Sequence, residues 1–332
     1  MRGSSGKTDS SGSTFKKSIS RLLIIQEMGL ILFLIFLGIV ITVVNPNFAS
    51  IANFINILRA CSLIFIIGCG MTFVLVGAEI DLSVGSVYAF CGLISALAMS
   101  YGINFVLSII IGIIAGLVLG LITGFIVTYF KIPALVVTLG MLYVVRGLII
   151  ILSRGETIYG LPESFKMIAQ GKVFGIPNMV IIAIVIGIIS YIILNYTKFG
   201  YDVRCVGGNK QASLAAGINV KRIRILLFMI TGLTCAIAGI TATSLYGMGF
   251  PYLGQGFEMY VIAAVVIGGV SLFGGIGTIL GTFLGAILMS TIQNGILQIK
   301  VSAYWANVAV GGIMILAVGI DQYRRRQMWE IK

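Results

Sequence analysis

Residues 77–86 read GAEIDLSVGS. Glu79 and Asp81 stand there two positions apart, after about twenty mostly apolar residues and before a second apolar run. Carboxylates within apolar segments are costly and usually functional. Three readings compete: a proton or ion site, a catalytic pair, or a backbone device that interrupts a helix. The flanking sequence decides among them.

Of the 332 residues, 59% are hydrophobic and 10% charged, with a mean hydropathy of +1.11. Soluble domains carry about 25% charged residues, so the chain is an integral membrane protein. Its 43 glycines and five prolines, spread through apolar runs, suit polytopic helices and not a β-barrel, which shows weaker alternating segments. The expected fold class is an all-α polytopic membrane protein with about ten spans of roughly 17–25 residues. The spans lie near 27–44, 57–77, 84–100, 104–129, 133–152, 177–196, 225–246, 258–270, 277–297 and 303–321. Pro46, Pro133, Pro162, Pro177 and Pro251 fall at or beyond span ends, where helices tolerate proline.

Residues 1–24 are Ser/Gly-rich and basic and are read as a disordered tail. A membrane domain follows over 25–322, then a basic C-terminus, 323–332. The run from Met28 to Val44 is long, and NPNFAS after it is a poor cleavage site, so the first span is expected to stay uncleaved. With the N-terminus inside, 16 of the 22 lysines and arginines fall on the inner side and five outside, leaving Arg146 within a span. This satisfies the positive-inside rule, places both termini in the cytoplasm and assigns the +12 charge to anionic lipid, not to nucleic acid. No histidine is present, which excludes His-based triads and His metal sites. Cys61, Cys69, Cys91, Cys205 and Cys235 form no C-x-x-C pair, so no metal or catalytic residue is assigned.

Two polar segments exceed simple connections. Outside, 153–176 contains PESFKMIAQ, expected as a short helix. Inside lies the loop 197–224, with GGNKQASLAAGINVKRIR. Asn209 is a good N-cap, and Gly217 is placed to end a short helix in the left-handed conformation. Asn219 then caps the helix that enters the membrane. The flat alanine face suits a partner's groove; an ordinary connecting helix is the alternative. There is also a weak echo between LSVGSVYAFCGLISALAMS at 82–100 and SLFGGIGTILGTFLGAILMS at 271–290. Duplication and chance both account for it.

GAEIDLSVGS together with NKQASLAAGINVKRIRILLFMITGLTCAIAGI and SLFGGIGTILGTFLGAIL resembles the membrane permease subunit of bacterial ABC importers for ribose and related simple sugars. The resemblance covers roughly 25–325. The wider family reaches permeases for branched-chain amino acids and autoinducer-2. The resemblance implies that the inner loop is a coupling helix docking on a separate ATP-binding subunit, with Gly208, Asn209, Lys210, Ala212, Ala215, Ala216 and Gly217 as its site residues. It implies an extracytoplasmic sugar-binding protein that delivers the solute, and a second permease chain, identical or homologous. This chain has no G-x-x-x-x-G-K-[ST] loop, so ATP and Mg are expected on the partner and no cofactor here.

A neutral sugar needs hydrogen-bond partners, for which Thr72, Thr138, Gln293 and Asn294 are the candidates. Arg146 either snorkels outward or lines the pathway, or pairs with an acid such as Glu156; Glu258 and Arg59 read as anchors near outer span ends. A proton- or cation-coupled secondary transporter is the competing function, but it wants acids deep in several spans. GAEIDLSVGS then reads as a broken-helix or gate motif made of Glu79, Asp81, Ser83, Gly85 and Ser86. In it Asp81 is the expected N-cap of the third span, while Gly77 and Gly85 permit the break and close packing.

Overall fold

The computed structural model describes residues 10–299, 302, 305, 307–316, 319 and 322, with side chains from residue 27 onward. Among the described residues, seven helices are long and apolar enough to cross a membrane. They are α1 (Ser10–Val44, apolar from Glu27), α2 (Ile51–Val76), α4 (Phe105–Tyr129), α5 (Ala134–Ser153), α7 (Asn178–Tyr196), α10 (Val220–Tyr246) and α12 (Ile279–Gln298). Three shorter apolar helices are α3 (Val84–Ser100), α11 (Phe257–Ile267) and α13 (Asn307–Leu316). Each of the spans read from the sequence falls on one of these ten. Outside them lie α6 (Glu163–Gln170), α8 (Lys198–Gly208), α9 (Lys210–Ala215) and a small hairpin, β1 (Lys172–Val173) with β2 (Ile176–Pro177). The helix expected within PESFKMIAQ is α6.

Some boundaries differ from expectation. α1 begins at Ser10, inside the segment expected as a disordered tail; once the apolar span nucleates a helix, each added residue costs little. Residues 1–9 and the basic C-terminus 323–332 lie outside the described residues. α2 starts at Ile51, not near 57, because the Ser50 hydroxyl accepts from the Asn53 N–H at 3.2 Å. α10 starts at Val220, where Asn219 Oδ1 accepts from the Arg222 N–H at 3.1 Å.

The core is organised around α10, which packs against α2, α3 and α4. α2 is the most buried of the spans. Gly112, Gly116, Gly120 and Gly124 recur every fourth residue along α4; the last three meet the α10 backbone, and Gly112 meets Ser95 and the Cys91 carbonyl of α3. A Cβ on Gly116 would overlap the Gly232 carbonyl oxygen, and one on Gly232 would overlap that of Gly116. Small residues at this spacing let membrane helices approach closely, where dispersion replaces the missing hydrophobic drive. The basic ends of α8, α9 and α10 define one rim of the bundle, called here the basic rim.

Gly116→Val should lower stability by about 1–3 kcal/mol through overpacking, read as a lower melting temperature in detergent. Gly38→Ala on α1, where an added Cβ meets nothing within 4 Å, should leave it unchanged or slightly raised.

Candidate functional site

α2 ends at Val76, and the chain turns sharply. Ala78 takes the left-handed conformation (φ 59°) while Gly77 does not (φ −76°). Gly77 serves packing instead, since a Cβ there would overlap Leu227 Cδ1. The Asp81 carboxylate accepts from the Ser83 N–H at 2.9 Å and the Ser83 hydroxyl at 2.6 Å. Ser86 donates to the Ser83 carbonyl at 2.8 Å. The N-cap of α3 is therefore Ser83, and Asp81 acts one step earlier by fixing that residue; Asx side chains readily bond the backbone two residues on.

Asp81, Ser83 and Val87 line one small void with Gly120 and Thr123 of α4 and with Phe228, Gly232 and Cys235 of α10. Those residues lie near the middles of α4 and α10, so α3 begins about halfway through the bundle. Gly85 is forced by proximity: a Cβ would lie 2.7 Å from the Gly254 carbonyl oxygen and overlap the Glu258 carboxylate. Glu79 points the other way and forms an ion pair with Arg224 Nε on the first turns of α10.

A second break, 268–278, separates α11 from α12. Gly269, Gly274 and Gly275 are left-handed there, and the Thr278 hydroxyl caps α12 by accepting from the Gly281 N–H at 2.9 Å. The two breaks touch. The Gly275 N–H donates to the Val76 carbonyl at 2.8 Å, and a Cβ on Gly274 would lie 2.6 Å from Ala78 Cβ. Both stretches of the sequence echo are thus break-then-helix units. Gly207, at the end of α8, packs on the same Val76 carbonyl so closely that no Cβ fits.

The inner loop has the expected caps. Asn209 Oδ1 accepts from the Ala212 N–H at 3.0 Å, and Gly217 is left-handed (φ 80°). Gly208, Lys210, Ala212, Ala215, Ala216 and Gly217 are exposed, as is Leu214 at 56%, while Ser213 is buried. What sequence reasoning missed is α8. Its signal was Thr197, whose hydroxyl accepts from the Gly200 N–H at 3.2 Å. α8 and α9 flank a groove of about 970 Å³ whose lining includes Phe199, Tyr201, Ser213 and Ile218. Burial pulls the Arg204 guanidinium below the ordinary arginine value.

The four residues named for the pathway lie apart. Thr72 and Thr282 are fully buried and bonded to each other at 2.6 Å, tying α2 to α12. Thr138 is fully buried and donates to the Ala134 carbonyl at 2.9 Å. Asn294 donates to Asn53 Oδ1 at 2.9 Å, joined by Gln298 at 3.0 Å, in an amide cluster at the rim opposite the basic one. Gln293 Nε2 is buried without a hydrogen-bond partner among the described residues.

Arg146 does not snorkel and does not reach Glu156. It turns inward, Nη1 donating to the Leu253 carbonyl at 2.6 Å and Nη2 to that of Gly85 at 3.4 Å. Its acidic neighbour is Glu258, which is 8% exposed and not a rim anchor.

A model of the branched-chain amino acid transport system / permease component family matches residues 53–318. The chain is 36% identical over 301 residues to the ribose import permease protein RbsC of Bacillus subtilis (strain 168), covering 90% of this chain and 94% of that protein. It is 36% identical over 323 residues to the L-arabinose transport system permease protein AraH of Escherichia coli (strain K12), covering 97% and 98%. It is 32% identical over 314 residues to RbsC of the same strain, covering 93% and 98%. No solved structure matches the chain.

The Glu79–Arg224 pair is half-shielded, with side chains 12% and 14% exposed. Glu79→Gln or Arg224→Gln alone should cost about 1–3 kcal/mol, between the exposed and buried limits for ion pairs. The charge swap Glu79→Arg with Arg224→Glu should recover part of it. A double-mutant cycle on melting temperature reads the coupling; strictly additive losses would show the pair to be idle.

Proposed function

The chain belongs to the branched-chain amino acid transport system / permease component family, and on that premise we propose that it carries a simple sugar, ribose or L-arabinose, through the membrane. It is a multi-pass permease subunit of an ATP-driven importer and not an enzyme. Importers of this family work with a separate ATPase subunit and a solute-binding protein. The observation that carries the sugar reading is similarity along nearly the whole chain to permeases named for ribose and L-arabinose.

The remaining assignments are part of the proposal. The basic rim faces the cytoplasm. A second permease chain, identical or homologous, completes the pathway. ATP and Mg bind the ATPase, which receives α9 and its Ala212, Ala215 and Ala216 face. Closure of the ATPase pushes on α8 and α9, and Gly207 passes the displacement to the junction of the two breaks. Glu79, Asp81, Ser83, Gly85 and Ser86 hold one of those breaks in shape and act as the gate.

The test is co-purification with the cognate ATPase and measurement of ATP hydrolysis in proteoliposomes. Sugar-loaded binding protein should raise hydrolysis, and a panel of D-ribose, L-arabinose, hexoses and autoinducer-2 names the solute. Uptake should survive collapse of the proton gradient and stop when hydrolysis is blocked; the reverse pattern would make the chain a secondary transporter. Gly217→Val places a β-branched residue at φ 80°, a genuine outlier for such a side chain. It should insert normally and lose at least tenfold of the sugar-stimulated hydrolysis; wild-type stimulation would remove α9 from the coupling route.

A further inference from the structure

Segment 249–256 connects α10 to α11 without regular structure. Gly249 packs on Ala96, and Gly254 packs on Gly85 and Tyr88. Ala96 and Gly85 are 11 residues apart on α3, about 16 Å at 1.5 Å per residue. The segment therefore descends along α3 in a series of turns, the Leu253 N–H donating to the Phe250 carbonyl at 3.1 Å, from the far rim to mid-depth, where α11 starts.

At that depth Tyr252, Gln255 and Gly256 are exposed. Irregular backbone facing lipid leaves polar groups unsatisfied, so at membrane depth it occurs only inside protein or along a water-filled cavity. This face therefore cannot be the lipid face.

Polar groups of both signs converge on it. Gly256 precedes α11 without a side-chain cap; the Phe257 and Met259 N–H groups donate to the Gly254 and Gly256 carbonyls at 3.2 and 3.1 Å, while the positive end of the helix dipole faces the turn. Glu258 is 92% buried by its 8% exposure, and its Oε2 has no hydrogen-bond partner among the described residues. Arg146 is held by the Leu253 and Gly85 carbonyls. The two charges interact electrostatically without closing into an ion pair. Beneath them Phe257 stacks on Tyr88 with ring centroids 5.2 Å apart.

We propose that Arg146, Glu258 and the 252–256 turn form a mid-membrane binding station for a neutral polyhydroxylated solute. A sugar hydroxyl accepts from the guanidinium and donates to the carboxylate, while the separated pair, neutral overall, favours neither cations nor anions. Gly85 belongs to the station because any larger residue would displace Gly254 and Glu258 from it. The solute class rests on the sugar reading above; the aqueous exposure does not.

Two measurements test this on the full importer. Arg146→Gln and Glu258→Gln should still co-purify with the ATPase, lower sugar uptake at least tenfold, and shift the ratio of D-ribose to L-arabinose uptake. Uptake within twofold of wild type with an unchanged ratio overturns the station, as does a uniform loss with an unchanged ratio. If either variant fails to insert, Arg146→Lys and Glu258→Asp are held to the same criteria. Independently, Gln255→Cys in a Cys205→Ser background should react with a charged, water-soluble thiol reagent in membrane vesicles. Ile114→Cys, on the exposed face of α4, should not. A Gln255→Cys as inert as Ile114→Cys overturns the aqueous wall. Reaction at Gln255→Cys in an importer whose wild type carries no sugar keeps the wall and overturns the solute class.

Discussion

The hydrogen bond from the Gly275 N–H to the Val76 carbonyl is the contact on which the arrangement of interrupted helices depends. The last carbonyls of a helix have no partner within it, and away from water an unmade bond of this kind is expensive. α2 is the most buried span, so its end has few alternatives. The second break supplies the donor, and each interruption thereby satisfies the other. Gly207 closes over the same carbonyl with no side chain between. α2, the approach to α12, and α8 thus meet backbone to backbone. A side-chain contact absorbs a small displacement by changing rotamer; this one cannot. In the proposed coupling that rigidity carries movement of α8 into the bundle.

The charges divide by depth in a way that their energetics explain. Near the basic rim, Glu79 pairs with Arg224. Deeper, Asp81 is spent on the Ser83 N–H and hydroxyl, which positions the start of α3 at mid-depth. Neither carboxylate resembles a proton carrier, which needs a route from side to side and a partner to hand the proton on. Arg146 and Glu258 form the exception. Their groups are only partly satisfied, and they sit where the backbone is irregular.

Much of the fold was legible from local sequence. Apolar runs marked the spans, Asn209 and Gly217 bounded α9, and Asn219 opened α10, because caps are decided by a few adjacent residues. The α4 repeat Gly112, Gly116, Gly120, Gly124 was also available as a small-residue signal; its partner on α10 was not, since that depends on which helices adjoin. The same limit explains Gly77. A glycine beside a break reads as the flexible residue, yet Ala78 takes the left-handed angle and Gly77 makes room for Leu227, 150 positions away in sequence. Glu258 read as a rim anchor for a related reason. Span counting assumes that each segment starts at a membrane surface, and α11 does not. The pathway candidates were chosen by residue type, and type does not reveal that Thr72 is occupied by Thr282.

Interrupting helices at mid-depth has a chemical consequence suited to a neutral, hydroxylated solute. A regular helix hides its N–H and C=O groups in its own ladder, so only side chains can greet a passing molecule. A helix that begins inside the membrane offers fixed donors without adding net charge. Such donors bind hydroxyls while binding no ion strongly, and they keep their orientation as the solute moves. Transport also requires that the solute leave, so no station along the route can be very tight. The proposed station, built from an interrupted backbone and one balanced pair of charges, meets that requirement better than a closed pocket. It also explains why glycine recurs where the two interrupted helices meet. Gly85 lets the turn at Gly254 and the carboxylate of Glu258 lie directly against α3, so the sequence motif first noticed for its acids contributes to the proposed station through a residue that carries no side chain.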